Sequence, residues 1–172
     1  MESYKVKLKN ITTFIFDVDG VFTNGQILLY NNEFIRSFNS KDGYAVQYAA
    51  KMGYNIFAIT GGESKEVKKT LLNLGLKEVC LGSSDKLNVY NDLLNRFSLT
   101  EKEIIYMGDD IPDIPILKTV GLPCCPQDAA SEVKNYSEYH SPFNGGETCV
   151  RDVIEQTLRI QGKWMSEQAY KW

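Results

Sequence analysis

Two carboxylates two positions apart, Asp17 and Asp19, close the apolar run Phe14-Ile15-Phe16 and are followed by Gly20. Residues two apart on an extended strand point to the same side. Two carboxylates about 4 Å apart repel by roughly 4 kcal/mol at an effective dielectric near 20. Such a pair calls for a cation, a shared proton, or both. Three later segments carry complementary groups. Ile56-Phe57-Ala58-Ile59 ends in Thr60-Gly61-Gly62, a hydroxyl and two glycines. Lys86 follows Ser83-Ser84-Asp85 at the expected start of a helix. Ile104-Ile105-Tyr106-Met107 ends in Gly108-Asp109-Asp110, with Asp113 three residues on. Hard carboxylate oxygens suit Mg²⁺, and a lysine beside them can stabilise developing negative charge.

The elements that must position these groups follow from hydrophobic spacing. Residues 11–17, 54–59, 77–81, 103–107 and 120–125 read as strands, most of them continuous apolar runs. Residues 41–52, 64–74, 86–97, 112–119, 128–135 and 147–161 read as helices. Ser40 is the expected N-cap of the first, Gly53 and Gly75 are expected stops, and Pro112 sits near a first turn. Residues 21–30 and 33–39 read as two further extended runs about the turn pair Asn31-Asn32, within a hairpin spanning 21–39. Strands alternating with helices predict a doubly wound, Rossmann-like parallel sheet covered on both faces, in one domain over 1–172. Its ligands belong at the carboxyl edge, where Asp17, Thr60 and Asp109 stand.

The series D-V-D-G, a strand-end Thr, Lys, then G-D-D-x-x-D resembles the haloacid dehalogenase superfamily of phosphotransferases. The resemblance implies Asp17 as the nucleophile that forms an aspartyl-phosphate. It implies Asp19 as the acid that protonates the leaving oxygen and then deprotonates the attacking water. Thr60 and the Gly61 N–H would hold phosphoryl oxygens, and Lys86 would offset charge. Mg²⁺ would be bound by the Asp17 carboxylate, the Asp19 carbonyl and Asp109, with Asp110 and Asp113 behind them aligning waters and Lys86.

The gaps between these motifs leave no room for the large cap domain common in the superfamily. That layout, with F-N-S-K-D-G-Y at 38–44 and S-P-F-N-G-G-E-T-C-V-R-D-V-I-E at 141–155, resembles the capless 3-deoxy-D-manno-octulosonate 8-phosphate phosphatase family. The resemblance implies a phosphorylated eight-carbon sugar acid as substrate, in the pathway to lipopolysaccharide core. It also implies a homotetramer whose hairpins form a central barrel, and a C-terminal tail, here residues 162–172, that enters a site. A nine-carbon 2-keto-3-deoxy acid 9-phosphate is the alternative substrate. A phospho-accepting or sugar-phosphate-binding module without turnover is the alternative of another class. Many members carry Arg where this chain has Gly62, so Lys41, Lys65 or Arg151 is expected to meet the substrate's anionic end.

The rest of the composition narrows the classes. The 172 residues carry a net charge of −3 and no basic tract, which gives no reason to expect nucleic acid. No apolar run approaches a membrane span. Four cysteines without Cys-x-x-Cys spacing read as reduced thiols of a cytoplasmic protein, and His140 is the only histidine. Apolar residues on the hairpin (Phe22, Ile27, Leu28, Leu29, Tyr30, Phe34, Ile35 and Phe38) mark it as an interface, with subunits covering one another's sites.

Overall fold

The computed structural model describes residues 3–31 and 33–171. In chain order the elements are α1 (Tyr4–Lys7), β1 (Thr13–Phe16), β2 (Leu28–Tyr30), β3 (Glu33–Ile35), α2 (Ser40–Lys51), β4 (Asn55–Ile59) and α3 (Lys65–Asn73). There follow β5 (Glu78–Cys80), α4 (Lys86–Phe97), β6 (Ile104–Met107), α5 (Ile114–Leu117), β7 (Leu122–Cys125), α6 (Ser131–Lys134), β8 (Tyr139–His140) and α7 (Cys149–Ile160). Six strands form one parallel sheet in the order β5-β4-β1-β6-β7-β8. β1 lies where the strand order reverses, so its carboxyl end opens into the crevice that this topology provides for ligands.

Both faces of the sheet are covered, which is why its strands are continuous apolar runs. Phe14 and Phe16 point to the layer of α2, α3 and α7. Ile15 points to the opposite layer of α4, α5 and α6. Helix starts follow local chemistry. Asn39, rather than Ser40, caps α2 by accepting from the Lys41 N–H at 2.9 Å. Ser64 caps α3 and Asp85 caps α4. The cap on α4 puts Lys86 at the first helical position.

The hairpin is shorter than its sequence pattern. Only β2 and β3 pair, from Leu28↔Ile35 to Tyr30↔Glu33. Asn31 takes the positive φ expected of a turn residue, at +48°, while Asn32 lies outside the described residues. Residues 18–22 form a tight turn in which Gly20 adopts φ +92°, so the extended run expected over 21–30 does not begin at Val21. The turn sends Phe22 inward onto Phe16, at 5.3 Å between ring centres, so Phe22 is core. Phe38 also packs on the core. The two-residue strand β8 and the short helix α1 carry too little periodicity to be read in advance. Cys124, Cys125 and Cys149 are buried, Cys80 is half-buried, and all four thiols are free.

The described part of the tail, 162–171, lies against its own chain. Trp164 meets Tyr48 edge-on at 5.3 Å, and the hydroxyls of Tyr44 and Tyr48 donate to the Ala169 and Lys163 carbonyls. Trp172 is outside the described residues.

Candidate active site

Strand register brings the chemistry together. Phe16 pairs with Ala58 on one side and Met107 on the other. Asp17 therefore lies one step past the sheet's edge, flanked by the Thr60 and Gly108-Asp109 turns. Its backbone N–H still donates to the Met107 carbonyl at 3.0 Å, which fixes the carboxylate's position.

Lys86 reaches in from α4. Its Nζ lies 3.0 Å from Asp17 Oδ2 and 2.7 Å from Asp113 Oδ1. All three side chains are nearly inaccessible, so these charges are unscreened. Asp113 also accepts from the Tyr106 hydroxyl at 2.6 Å and from the Asp109 and Asp110 N–H groups at 3.0 and 3.3 Å. Four donors saturate it. Asp109 contrasts with it: its buried Oδ1 has no hydrogen-bond partner among the described residues.

The electrostatics are those of too many acids and too few cations. Burial, then the Asp113 charge, pushes Asp17 well above the usual carboxylate range, although Lys86 opposes the shift. Burial and Asp113 likewise raise Asp109, to about 6. Burial pulls Lys86 down, but Asp17 and Asp113 outweigh it and leave the ammonium above its ordinary value. One lysine does not neutralise the cluster.

Oxygens of Asp17, Asp109 and Asp113 come within 4.8 Å of one another. A divalent cation fits this set through Asp17 and the unpartnered Asp109 oxygen. Asp113 is spent on its four donors and serves as the brace. Gly20 makes the space: a Cβ there would lie 2.0 Å from Asp109 Oδ2. Gly20 is in turn backed by the 141–148 loop, where a Cβ on Gly145 would lie 1.9 Å from the Gly20 carbonyl oxygen.

Asp19 faces the other half of the crevice. Arg36, from the base of the hairpin, forks onto it with Nε to Oδ1 at 2.6 Å and Nη2 to Oδ2 at 3.0 Å. Thr60 is buried nearby, its Oγ1 accepting from the Gly62 N–H at 3.0 Å. A side chain at Gly62 would start 3.4 Å from Thr60 Oγ1 and 3.5 Å from both Arg36 Nη2 and Asp19 Oδ2. Asp19, Arg36, Thr60 and Gly62 thus line one pocket. Gly61 lies on the same turn, its Cβ direction open to within 4.0 Å of the Ser83 carbonyl.

Three expected positions lie elsewhere. Lys41 is exposed on the first turn of α2, with its N–H on Asn39. Arg151 pairs with Glu155 at 3.2 Å and sits over the Tyr44 and Trp164 rings, so its charge is already engaged. Asp110 is exposed and accepts from its neighbour Ile111 at 2.8 Å, capping the turn rather than reaching Lys86. The residue that sequence reasoning missed is Arg36. Its one signal was there: it is the only Lys or Arg between Lys9 and Lys41.

Comparison with known proteins gives concordant matches. Residues 77–154 match the model of the haloacid dehalogenase-like hydrolase family. The chain is 35% identical to the 3-deoxy-D-manno-octulosonate 8-phosphate phosphatase KdsC of Escherichia coli K12 over 158 residues, 91% of this chain and 84% of that one. The crystal structure of the phosphatase of the same description from Yersinia pestis superposes with TM-score 0.89 at 32% identity, covering 92% of this chain and 86% of that one. The Moraxella catarrhalis structure, described as a complex with magnesium ion, phosphate ion and a KDO molecule, superposes with TM-score 0.88 at 28% identity. It covers 92% of this chain and 91% of that one.

Proposed function

Because this chain belongs to the 3-deoxy-D-manno-octulosonate 8-phosphate phosphatase family of the haloacid dehalogenase-like hydrolases, we propose that it hydrolyses 3-deoxy-D-manno-octulosonate 8-phosphate to the free sugar acid and phosphate. The chain is a phosphatase, and a purely signalling or binding module is set aside. The observation that carries the detailed reading is Lys86 held between Asp17 and Asp113, beside a second acid two residues past Asp17.

The chemistry proceeds in two displacements. A carboxylate oxygen of Asp17 attacks phosphorus in line, the bond to the sugar oxygen breaks, and that oxygen takes a proton from the Asp19 carboxyl. Water then gives a proton to Asp19 and attacks phosphorus, and Asp17 leaves as a carboxylate. Thr60 Oγ1 and the Gly61 N–H hold phosphoryl oxygens, and Lys86 offsets the charge that develops near Asp17. Asp17, Asp109 and the Asp19 carbonyl would hold Mg²⁺, which lowers the repulsion between the nucleophile and a phosphate dianion. The cation present in the Moraxella structure and the unpartnered Asp109 oxygen both support that assignment.

Cover for the site is proposed to come from further copies of the chain, as a tetramer. The support is the hairpin's exposure: Leu29 and Phe34 are 71% and 65% exposed, beside Leu28, Tyr30, Ile27 and Ile35. Phosphate release from the eight-carbon and nine-carbon keto acid phosphates, with and without Mg²⁺, tests the assignment. The expected result is preference for the eight-carbon acid. Equal or faster turnover of the nine-carbon acid would replace the substrate. Failure to hydrolyse either would refute the sugar-acid reading.

A further inference from the structure

Arg36 is an anomaly on its hairpin. The neighbouring side chains Phe34 and Ile35 are exposed and apolar, yet the Arg36 side chain is 8% exposed and turned onto Asp19. A guanidinium has five N–H groups in a planar fork. Nε and one Nη2 hydrogen form the side-on edge, and both oxygens of Asp19 occupy it. One Nη1 hydrogen goes to the Phe34 carbonyl at 3.3 Å. The remaining Nη1 and Nη2 hydrogens have no partner among the described residues. The end-on side of the fork, between Nη1 and Nη2, suits a planar anion with two oxygens.

The guanidinium also borders open space. A side chain at Gly62 would begin 3.5 Å from both Nη2 and Asp19 Oδ2, in contact with that bonded pair, so the space lies on the groove side of Arg36. Arg36 stands on the wall between the pocket holding Asp19 and Thr60 and an open groove of about 790 Å³ between the hairpin and the start of α3. A leaving group attached to a phosphate at Asp17 must pass Asp19, which serves its oxygen, and so meets Arg36 next.

The geometry points to Arg36 as the residue that selects an anionic leaving group: Asp19 holds its side-on edge, and its end-on edge receives the carboxylate of the substrate. This rests on the phosphatase reading above and adds the residue that reads the charge of the sugar acid. One guanidinium then bridges the acid–base group and the substrate, so recognition of the carboxylate orients the ester oxygen toward Asp19. A neutral sugar phosphate leaves that edge unanswered. Discrimination therefore comes from a polar partner that the wrong substrate fails to satisfy, the more selective kind of contact.

The test measures a selectivity ratio in the full-length protein with Mg²⁺. Glucose 6-phosphate and 6-phosphogluconate are assayed as one pair, because the second carries a carboxylate that the first lacks. The octulosonate phosphate against arabinose 5-phosphate is the other. Wild type is expected to favour the acid in each pair. Arg36→Gln should reduce that preference in kcat/KM by about tenfold to a hundredfold, the value of a charge-assisted hydrogen bond. Arg36→Lys, which keeps the charge and loses the fork, should fall between. If Arg36 merely props Asp19, acid and neutral substrates decline together and the ratio stays put, which overturns the inference. No acid preference in wild type overturns it as well. Loss of octulosonate phosphate turnover alone, with the gluconate pair behaving as expected, would instead refute the assigned substrate and leave Arg36 its role.

Discussion

The sheet edge and the hairpin are opposite kinds of structure built by neighbouring residues. At the edge, Asp17, Lys86 and Asp113 are buried, with both acids bonded to the lysine and Asp17 placed by strand register. On the hairpin, one three-residue ladder carries a row of exposed apolar side chains, and its polar tie to the site is Arg36 on Asp19. Reaction machinery must hold its geometry to fractions of an ångström before substrate arrives. A recognition surface can be completed by its partner. One chain therefore holds the acids and the lysine of the proposed site, while its hairpin leaves most of its apolar surface exposed.

The most severe way to probe this contrast is to remove the proposed nucleophile. Asp17→Asn should cut turnover by at least about 10³-fold, and Asp19→Asn by at least about 10²-fold. Phosphate release under saturating substrate reads both. Near-normal turnover in either variant would mean that the edge is not the reacting centre. Excess chelator should abolish activity reversibly, with Mg²⁺ restoring it; full rate in chelator would end the metal assignment.

Next in size is a stability effect. Asp113→Ala deprives Lys86, the Tyr106 hydroxyl and two backbone N–H groups of their acceptor. Breaking one side of a buried ion pair costs about 3–5 kcal/mol. Denaturant titration should show a loss of that order. A loss below about 1 kcal/mol, the scale of an exposed pair, would show that the brace is not buried in solution.

Asp42 lies between the two regions in character. It is buried on α2 and accepts from the Thr148 and Arg151 N–H groups at 3.2 and 2.7 Å, anchoring the start of α7. Burial raises its pKa from 3.8 to about 6 against those two bonds. The folded state thus holds its proton to higher pH than the unfolded chain. Stability from this group is full below the unfolded value and declines as pH rises through about 6. The decline is on the order of 2–3 kcal/mol. Unfolding free energies at pH 4 and pH 7, wild type minus Asp42→Asn, should differ in that direction. A difference of the opposite sign would contradict the burial of this carboxyl.

What could be read in advance follows the same division. The strands and their terminal acids were legible because burial on two faces writes an apolar run, and a carboxylate at its end is conspicuous. Register then needed no further information: Phe16 facing Ala58 and Met107 put Asp17, Thr60 and Asp109 together. Phe22 was misread as exposed because the positive φ at Gly20 breaks the strand period. Arg151 looked available because its stacking on Tyr44 and Trp164 depends on where the tail folds back, which no local pattern records. Arg36 was missed because its partner lies 17 residues away across an irregular turn.

The smallest expected effect on the fold is the most informative about the hairpin. Leu29 and Phe34 pair across the ladder and bury nothing substantial within one chain. Leu29→Glu with Phe34→Lys keeps the net charge and gives an opposite-charge cross-strand pair, so the monomer's unfolding free energy should move by no more than about 0.5 kcal/mol. If copies of the chain join through this surface, the variant should sediment as a smaller species. Its kcat/KM on a sugar acid phosphate should fall by about tenfold, the equivalent of about 1.4 kcal/mol of lost substrate contact. Aryl phosphate, which needs little cover, should be affected less. A variant that keeps both its mass and its kcat/KM would show that the hairpin is no interface. One that dissociates yet hydrolyses sugar acids at the wild-type rate would separate assembly from recognition, and would leave Arg36 to act from within a single protomer.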